Sequence, residues 1–276
     1  MNNHYISNDV SIKTIYFLFI TYNRSDLLEK SFFSLRNAVL KIGLQAIYIA
    51  SDDASNKEHQ GKIDKMGFDL VISAASNSGL GANQNQGLAA CKSGYIFQVQ
   101  DDWIFTGNPS DLLQAINIVE SDKRIGILQL TNVMSDLPVE QRKLNSNGFR
   151  VFRNDGLPWY RNCSVRPYSD NPHLKRIEFV SDLGQYLEGV PMTVSENDFK
   201  KRVALQNKWK VAQMDSCIFE HLGKEVSLNE GGKRHPVINM IKSIPLLGKE
   251  IEVFIRKVYV FADHKAALFV STLRGD

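Results

Sequence analysis

The amino-terminal half of the chain alternates between short apolar segments and segments with helical spacing. The apolar segments are rich in β-branched and aromatic residues, which is typical of strands buried on both faces. They are TIYFLFIT (14–21), AIYIA (46–50), FDLVIS (68–73), YIFQVQ (95–100) and RIGILQL (124–130). This β-α-β-α alternation predicts an α/β fold with a mostly parallel sheet, flanking helices and right-handed crossovers.

Helix boundaries are expected at polar residues and glycines. Ser25 stands where the first helix needs an N-cap, and Ser110 precedes another helical segment. A polar helix is expected over about 56–66, with Gly67 after its end.

The alternation stops beyond residue 131. Residues 132–175 are rich in Asn, Pro, Arg and aromatics, which indicates loops around a short strand, FRVFR. Regularity returns with RIEFVS, a helix across ENDFKKRVALQ and the strand WKVAQM. We expect residues 1–104 and 105–222 to form two halves of one domain, followed by a helical extension over 223–276.

Composition excludes several classes of protein. A formal net charge of +3 does not predict a nucleic-acid binder. Three cysteines without a CxxC pair exclude a cysteine zinc site and argue against a disulfide framework. No apolar run reaches the roughly 18 residues of a membrane span, and the polar start lacks a signal peptide. These features predict a soluble cytoplasmic protein.

Two pairs of carboxylates directly follow predicted strands, Asp52–Asp53 and Asp101–Asp102. Ligands of open parallel sheets bind beyond the carboxyl ends of the strands. Hard oxygen ligands at such a place suit Mg²⁺ or Mn²⁺, which in turn holds a diphosphate. The alternative is a pair of solvated turns.

The loop NSGLGANQNQG follows the third strand. It is not a P-loop, and Gln84 replaces the third glycine of a dinucleotide fingerprint. Small residues let a backbone approach a ligand, and asparagine amides offer hydrogen bonds beside it. The candidate ligand residues of this loop are Asn77, Gly79, Gly81, Asn83 and Asn85. A glycine-rich turn between strand and helix is the alternative.

Three segments in order carry a family resemblance: FITYNRSDLLEKSFFSLRN, SDDAS and NSGLGANQNQGLAACKSGYIFQVQDDW. They resemble the nucleotide-binding half of family 2 glycosyltransferases with the GT-A fold. The similarity covers residues 14–104 well and 177–222 loosely.

The resemblance implies a nucleotide-sugar site. Thr21, Tyr22 and Arg24 would flank the nucleotide, and Asp53 or its neighbour Asp52 would contact the base or ribose. The acidic metal motif of the family reads Gln100-Asp101-Asp102 here. Asp102 takes the metal-binding position and Asp101 the position between, while Gln100 replaces the first acid and implies an amide contact to the ribose.

The segment VSENDFKKRVALQNKWKVAQM resembles the part of the family that carries the general base. The resemblance assigns the base to Glu196, at the start of a helix, with Asp198 as the alternative. Both carboxylates are also explained by a helix start capped by Ser195. His221 follows the last strand, where several family members supply a histidine to the metal. Strand alternation turns Glu220 away from it.

Aromatic and arginine side chains in the irregular segment are expected to form an acceptor surface. They are Trp159, Tyr160, Arg161, Arg166, Tyr168 and His173. The tail from residue 237 mixes apolar residues with lysine and arginine. That pattern fits a helix on an anionic membrane surface, a helix that packs on the core or a dimer interface.

The resemblance therefore implies an inverting hexosyl- or N-acetylhexosaminyltransferase that uses Mn²⁺ or Mg²⁺. Its donor would be a UDP-linked sugar and its acceptor a glycan or glycolipid of cell-surface polysaccharide biosynthesis. The alternatives are a nucleotidyltransferase and a non-catalytic glycan- or nucleotide-binding protein of the same fold.

Overall fold

The computed structural model describes residues 13–131, 142–145, 148–152 and 168–222. Its strands in these ranges are Ile15–Thr21 (β1), Ile47–Asp52 (β2), Leu70–Ser73 (β3), Tyr95–Gln100 (β4), Trp103–Phe105 (β5), Ile125–Gln129 (β6), Arg142–Asn145 (β7), Phe149–Phe152 (β8), His173–Arg176 (β9), Lys210–Met214 (β10) and Phe219–His221 (β11). Its helices are Ser25–Lys41 (α1), Lys57–Ile63 (α2), Leu80–Ala90 (α3), Pro109–Ser121 (α4), Ile177–Leu183 (α5) and Met192–Leu205 (α6).

Nine of these strands form one sheet in the order β3-β2-β1-β4-β9-β6-β10-β8-β7. Strands β3, β2, β1 and β4 are parallel, and so are β6 and β10. Strand β9 runs antiparallel between β4 and β6, and β8 and β7 extend the far edge in antiparallel pairs. The predicted α/β fold with a mostly parallel sheet is therefore confirmed.

Helices cover both faces of this sheet, which makes three layers. Alternate residues of β1 point to opposite faces, as the pleat of a strand requires. Phe17 and Phe19 pack with apolar residues of α1, α2 and α4, whereas Leu18 and Ile20 face α3, α5 and α6. Both faces are apolar, so β1 is buried along its whole length.

At two helices, the N-cap is a different residue from the one that the sequence predicts. Arg24 is the N-cap residue of α1, and Ser25 is already helical, buried and 2.7 Å from Nδ1 of His59 through its Oγ. Helix α4 begins with Pro109 after a capping box formed by Asn108 and Asp111, which removes any need for Ser110 as the cap.

The second half departs further from the sequence-based expectations. The segment RIEFVS belongs mostly to helix α5, and the strand β9 before it was not predicted. Helix α6 begins at Met192 with Pro191 at the N-cap position, so Ser195 does not cap it. The Ser195 hydroxyl donates instead to the Leu187 carbonyl at 2.9 Å. Glu196 and Asp198 consequently lie beyond the first turn.

A two-stranded antiparallel sheet joins β5 to β11 and pairs Trp103 with His221. The backbone N–H of Leu222 donates to the Asp102 carbonyl at 2.7 Å, which closes this junction. The expected extension over 223–276 lies outside the described residues, as does most of 132–167. Within the ranges given above, none of the helices has the length and apolarity that a membrane span requires.

Candidate functional site

The carboxyl ends of β1, β2 and β4 meet at one edge of the sheet, as parallel pairing requires. Thr21 ends β1, Asp52 ends β2 and Asp101 follows β4. The backbone N–H groups of Asp53 and Asp101 donate to carbonyls of β1 at 3.1 Å each, which continues the strand pairing one residue further. Three chain segments therefore bring their polar side chains together here.

Asp101 is held by β1 and the residues after it. The Thr21 hydroxyl donates to its Oδ2 at 2.8 Å, and the Arg24 Nη1 lies 3.4 Å from its Oδ1. Tyr22 contributes a backbone hydrogen bond to the same carboxylate. Burial and then the charge of Asp102 raise the pKa of Asp101 to about 6, which Arg24 and Thr21 partly oppose.

Asp102 lies between a cation and an imidazole. The Arg24 Nη1 is 2.9 Å from its Oδ2, and the His221 Nε2 is 3.4 Å from the same oxygen. The other oxygen, Oδ1, is buried and has no hydrogen-bond partner among the described residues. Trp103 is buried and places its indole edge-to-face with the His221 ring at 5.0 Å. The structure thus brings together the two residues that were expected to bind a metal.

These two side chains fit a divalent metal ion. The carboxylate oxygen without a hydrogen-bond partner in the part of the chain that the structure describes is a hard ligand of the kind that binds Mn²⁺ or Mg²⁺. The imidazole nitrogen on the other side of the carboxylate is a borderline ligand, which suits a transition metal such as Mn²⁺ better than Mg²⁺. Across the described ranges, no His, Cys, Asp or Glu side chains come together as a group of three or more suited to a metal. An ion held by Asp102 and His221 would complete its coordination with ligand oxygens and water.

Asp53 is occupied by the loop that precedes α3. Its two oxygens accept hydrogen bonds from the backbone N–H groups of Ser78 and Gly79, at 2.8 and 2.9 Å. Asn77 accepts a further bond from the Gly79 N–H at 3.2 Å. Gly79 has a φ of 87°, a conformation that favours glycine. Asp53 and Asn77 therefore shape this loop.

Two expected ligand residues have structural roles instead. Asp52 is fully buried and accepts from both the backbone N–H and the hydroxyl of Ser55, so its carboxylate cannot reach a base or ribose. Asn83 is also buried; its Nδ2 donates to the Thr21 carbonyl at 3.0 Å and its Oδ1 accepts from Ser51. Asn83 thereby fixes the end of β1 against α3.

Asn85 and Gly81 also have structural roles, whereas Tyr22 and Gln100 lie at the edge of the site. Asn85 is buried and binds the backbone N–H and carbonyl of Tyr186. Gly81 is required because a Cβ there would lie 2.1 Å from the Leu187 carbonyl oxygen. Tyr22 and Gln100 are half-buried beside Asp101 and remain at the edge of the site.

An open cavity of about 340 Å³ extends from Asp53 along α3 to Gln185 and Glu188, in the segment before α6. Ala74, Ala82 and Ala89 leave space in it, and Gln86 and Glu188 add polar groups. Asp101, Asp102 and Glu196 do not line this cavity, so it is separate from the contacts that these three carboxylates make.

Glu196 and Asp198 are two residues apart on α6, so they point to different sides of the helix and have different partners. The Glu196 Oε1 is 2.8 Å from the Lys200 Nζ and accepts from the Asp170 backbone N–H at 3.3 Å. Asp198 forms a 2.8 Å ion pair with Arg202. Arg202 also donates to the carbonyls of Leu183 and Gln185, which makes Asp198 part of a contact between α6 and α5.

The expected acceptor surface is corrected at two residues. Tyr168 and His173 are buried, with 2% and 0% of their surface exposed, because the chain enters the sheet at β9. The other members, Trp159, Tyr160, Arg161 and Arg166, lie outside the described residues.

Sequence reasoning missed Asp170 and Lys175, two buried charged residues, of which Asp170 contacts Glu196 through its backbone N–H. Asp170 is 6% exposed and Lys175 is fully buried. Both stand in a segment that reads as a polar loop, so nothing in the local pattern marks them as interior. Only the unpredicted insertion of β9 between β4 and β6 places them there.

A family model described as glycosyl transferase family 2 matches residues 16–164. A mannosyltransferase from Pyrobaculum calidifontis in complex with GDP-Man and Mn²⁺ has a TM-score of 0.58 at 12% identity, over 96% of this chain and 76% of that chain. TarS residues 1–349 from S. aureus in complex with UDP-GlcNAc has a TM-score of 0.56 at 16% identity, over 91% and 71%.

A further TarS structure aligns with 75% of this chain at 16% identity and a TM-score of 0.55, and the match spans 59% of that TarS chain. No curated protein sequence matches significantly. At these identities the structural likeness establishes the fold, which is that of the GT-A glycosyltransferases.

Proposed function

The chain belongs to glycosyltransferase family 2, and we propose that it transfers a sugar from a nucleotide donor to a hydroxyl group of a glycan or glycolipid. The observation that carries this proposal is the group formed by Asp101, Asp102 and His221 beside Thr21 and Arg24. It places cation ligands and a guanidinium at the sheet edge where α/β proteins bind nucleotides.

The donor is a nucleoside diphosphate sugar. Structures of the same fold bind UDP-GlcNAc and GDP-Man, and we propose a UDP-linked hexose or N-acetylhexosamine here. Residues 1–104 would hold the nucleotide, with the base beside Asp53 and its adjoining cavity. Thr21, Tyr22, Arg24 and Gln100 would flank the ribose and diphosphate.

Asp102 and His221 would hold Mn²⁺ or Mg²⁺. Such an ion supplies positive charge that stabilises the leaving nucleoside diphosphate. Arg24 contributes a second cation at the same place, because its guanidinium already contacts both carboxylates. Asp101 keeps this guanidinium beside Asp102.

Glu196 is the proposed general base, and residues 105–222 would form the acceptor half. An inverting transfer needs one carboxylate to accept the proton of the attacking hydroxyl. With these contacts the Glu196 side chain remains 21% exposed. Asp198 is bound to Arg202, which contacts two carbonyls, and this supports a structural role for it. We propose an acceptor of cell-surface polysaccharide synthesis.

Calorimetry with Mn²⁺ and UDP tests the metal site without knowledge of the acceptor. Asp102→Asn should lose Mn²⁺-dependent UDP binding while its melting temperature stays near that of the parent, because a ligand and not a core side chain is changed. Glu220→Gln is the matched control, since Glu220 is an exposed carboxylate next to His221 on β11. Retained metal-dependent binding in Asp102→Asn would contradict the assignment. Binding without turnover of any donor would favour the non-catalytic alternative.

A further inference from the structure

A cluster of four buried polar side chains lies next to Glu196. The proposed function does not use it. It consists of Tyr168, Asp170, Lys175 and Tyr186, here called the Asp170 cluster, and each member is less than a tenth exposed. A buried carboxylate and a buried ammonium are costly unless hydrogen bonds and opposite charges compensate them. Packing alone therefore does not explain why these charged side chains are buried next to a candidate base.

The cluster contacts Glu196 through the backbone. The Asp170 N–H donates to the Glu196 Oε1 at 3.3 Å, and the Lys200 Nζ approaches the same oxygen at 2.8 Å. Both contacts engage a single oxygen of a planar carboxylate. They fix the orientation of the group and direct Oε2 away from the two donors.

Asp170 is itself held by a chain of hydroxyl groups. The Tyr168 hydroxyl donates to its Oδ1 at 2.5 Å, and the hydroxyl of Tyr186 is hydrogen-bonded to that of Tyr168. The rings of Tyr186 and Tyr168 pack against Phe199, with centroids 4.2 and 4.9 Å away. Phe199 lies one helical turn after Glu196 on α6, so the two tyrosines join Asp170 to the helix that carries Glu196.

The buried Asp170 carboxylate lies near both a negative charge, Glu196, and a positive charge, Lys175. Burial, followed by the charge of Glu196, raises the pKa of Asp170 to about 6. Lys175 lies on the same face of the sheet, and its Nζ donates to Gln98 at 2.6 Å. Its positive form favours the ionised form of Asp170. The cluster thus holds a second carboxylate, that of Asp170, buried next to Glu196.

We propose that Asp170 is a positioning residue for Glu196, held in place by the hydroxyls of Tyr168 and Tyr186. Its backbone N–H orients the Glu196 carboxylate, and its own carboxylate anchors the segment through Tyr168. This inference rests on the proposed function, in which Glu196 is the base.

The hydrolysis of UDP-GlcNAc with Mn²⁺ tests this role, because water then replaces the unidentified acceptor. Tyr168→Phe and Asp170→Ala should each lower kcat by about tenfold to a hundredfold with little change in donor KM, as expected for a misplaced base. The double variant should be no slower than the slower single variant. Both changes remove the same hydrogen bond, from the Tyr168 hydroxyl to the Asp170 carboxylate. Asp170→Asn keeps an acceptor oxygen for Tyr168 and should retain most of the activity.

Tyr95→Phe is the matched control, because Tyr95 is also buried and its hydroxyl binds Lys13 and Arg176 at the opposite end of β4. A second measurement does not depend on activity: hydrogen exchange at the Asp170 amide should accelerate in Tyr168→Phe and not in Tyr95→Phe. The proposal is overturned if Tyr168→Phe and Asp170→Ala lower only the melting temperature, or if the Asp170 amide stays protected.

Two further variants separate this inference from the proposed function. Glu196→Gln should lower kcat at least as far as Asp170→Ala, and Asp198→Asn should leave it near the parent value. If Glu196→Gln has no effect, the base assignment fails. If Glu196→Gln is slow while Tyr168→Phe and Asp170→Ala are not, the positioning role alone is wrong.

Discussion

Arg24 places a positive charge between the two carboxylates that follow β4. Its Nη1 contacts Asp102 at 2.9 Å and Asp101 at 3.4 Å, beside the His221 imidazole. A divalent ion bound to Asp102 must share the carboxylate with this guanidinium or displace it. Arg24 is therefore a candidate contact for the diphosphate and a candidate competitor of a metal ion at Asp102.

Arg24→Gln should bind Mn²⁺ more tightly than the parent when no nucleotide is present. Hydrogen bonds to charged groups contribute about 1.5–3 kcal/mol, so a gain of about tenfold or more is expected. UDP should bind more weakly, because a phosphate contact is lost. Titration calorimetry measures both, and Arg124→Gln is the control because its ion pair with Asp122 is exposed. An unchanged Mn²⁺ affinity in Arg24→Gln would show that the guanidinium does not compete.

Helix α3 begins against the segment that leads into α6. Gly81 lies in its first turn, and a Cβ there would be 2.1 Å from the Leu187 carbonyl oxygen and 2.8 Å from the Ser195 hydroxyl. Asn85, one turn later, binds both backbone groups of Tyr186. This contact joins α3 to the segment that leads into α6, the helix that carries Glu196.

Gly81→Ala should therefore push α3 away from α6 and lower the free energy of unfolding by about 1–3 kcal/mol, the usual cost of overpacking. Gly61→Ala is the control, because Gly61 is helical and a Cβ there meets no atom within 4 Å. That change should leave stability equal or raise it by about 0.5–1 kcal/mol. Urea unfolding measures both, and equal stabilities of the two variants would contradict the predicted contact.

Sequence periodicity predicts the helices and strands whose own residues carry the apolar pattern. Strands β2 and β4 and their polar ends follow from apolar runs that stop at acidic residues. The same reasoning fails for β9, because HLKR carries no apolar pattern and becomes a strand only between β4 and β6. It also fails at Ser195, because Pro191 begins α6 one turn earlier. Buried partners from distant segments, such as the Thr21 carbonyl for Asn83, are decided by tertiary contacts.

At the scale of the whole molecule, buried titratable groups make the free energy of unfolding depend on pH. Burial raises the pKa of both Asp101 and Asp170 to about 6, and burial lowers the pKa of Lys175 to about 7. Between about pH 4 and 6 the folded chain holds protons on the two aspartates that the unfolded chain has released. The free energy of unfolding should fall as the pH rises through that range.

Above neutral pH, Lys175 has the opposite effect on the free energy of unfolding. In the unfolded chain its pKa is 10.5, so between about pH 7 and 10 the unfolded state binds a proton that the folded state lacks. The free energy of unfolding should rise there, by up to about 1.4 kcal/mol per pH unit from this group. Lys175→Met should remove that rise, whereas Lys92→Met, at an exposed lysine on the same side of the sheet, should keep it. Denaturant unfolding between pH 5 and 10 tests this, and parallel profiles for the parent and Lys175→Met would mean that Lys175 stays charged inside the folded sheet, with Asp170 and Gln98 compensating its burial.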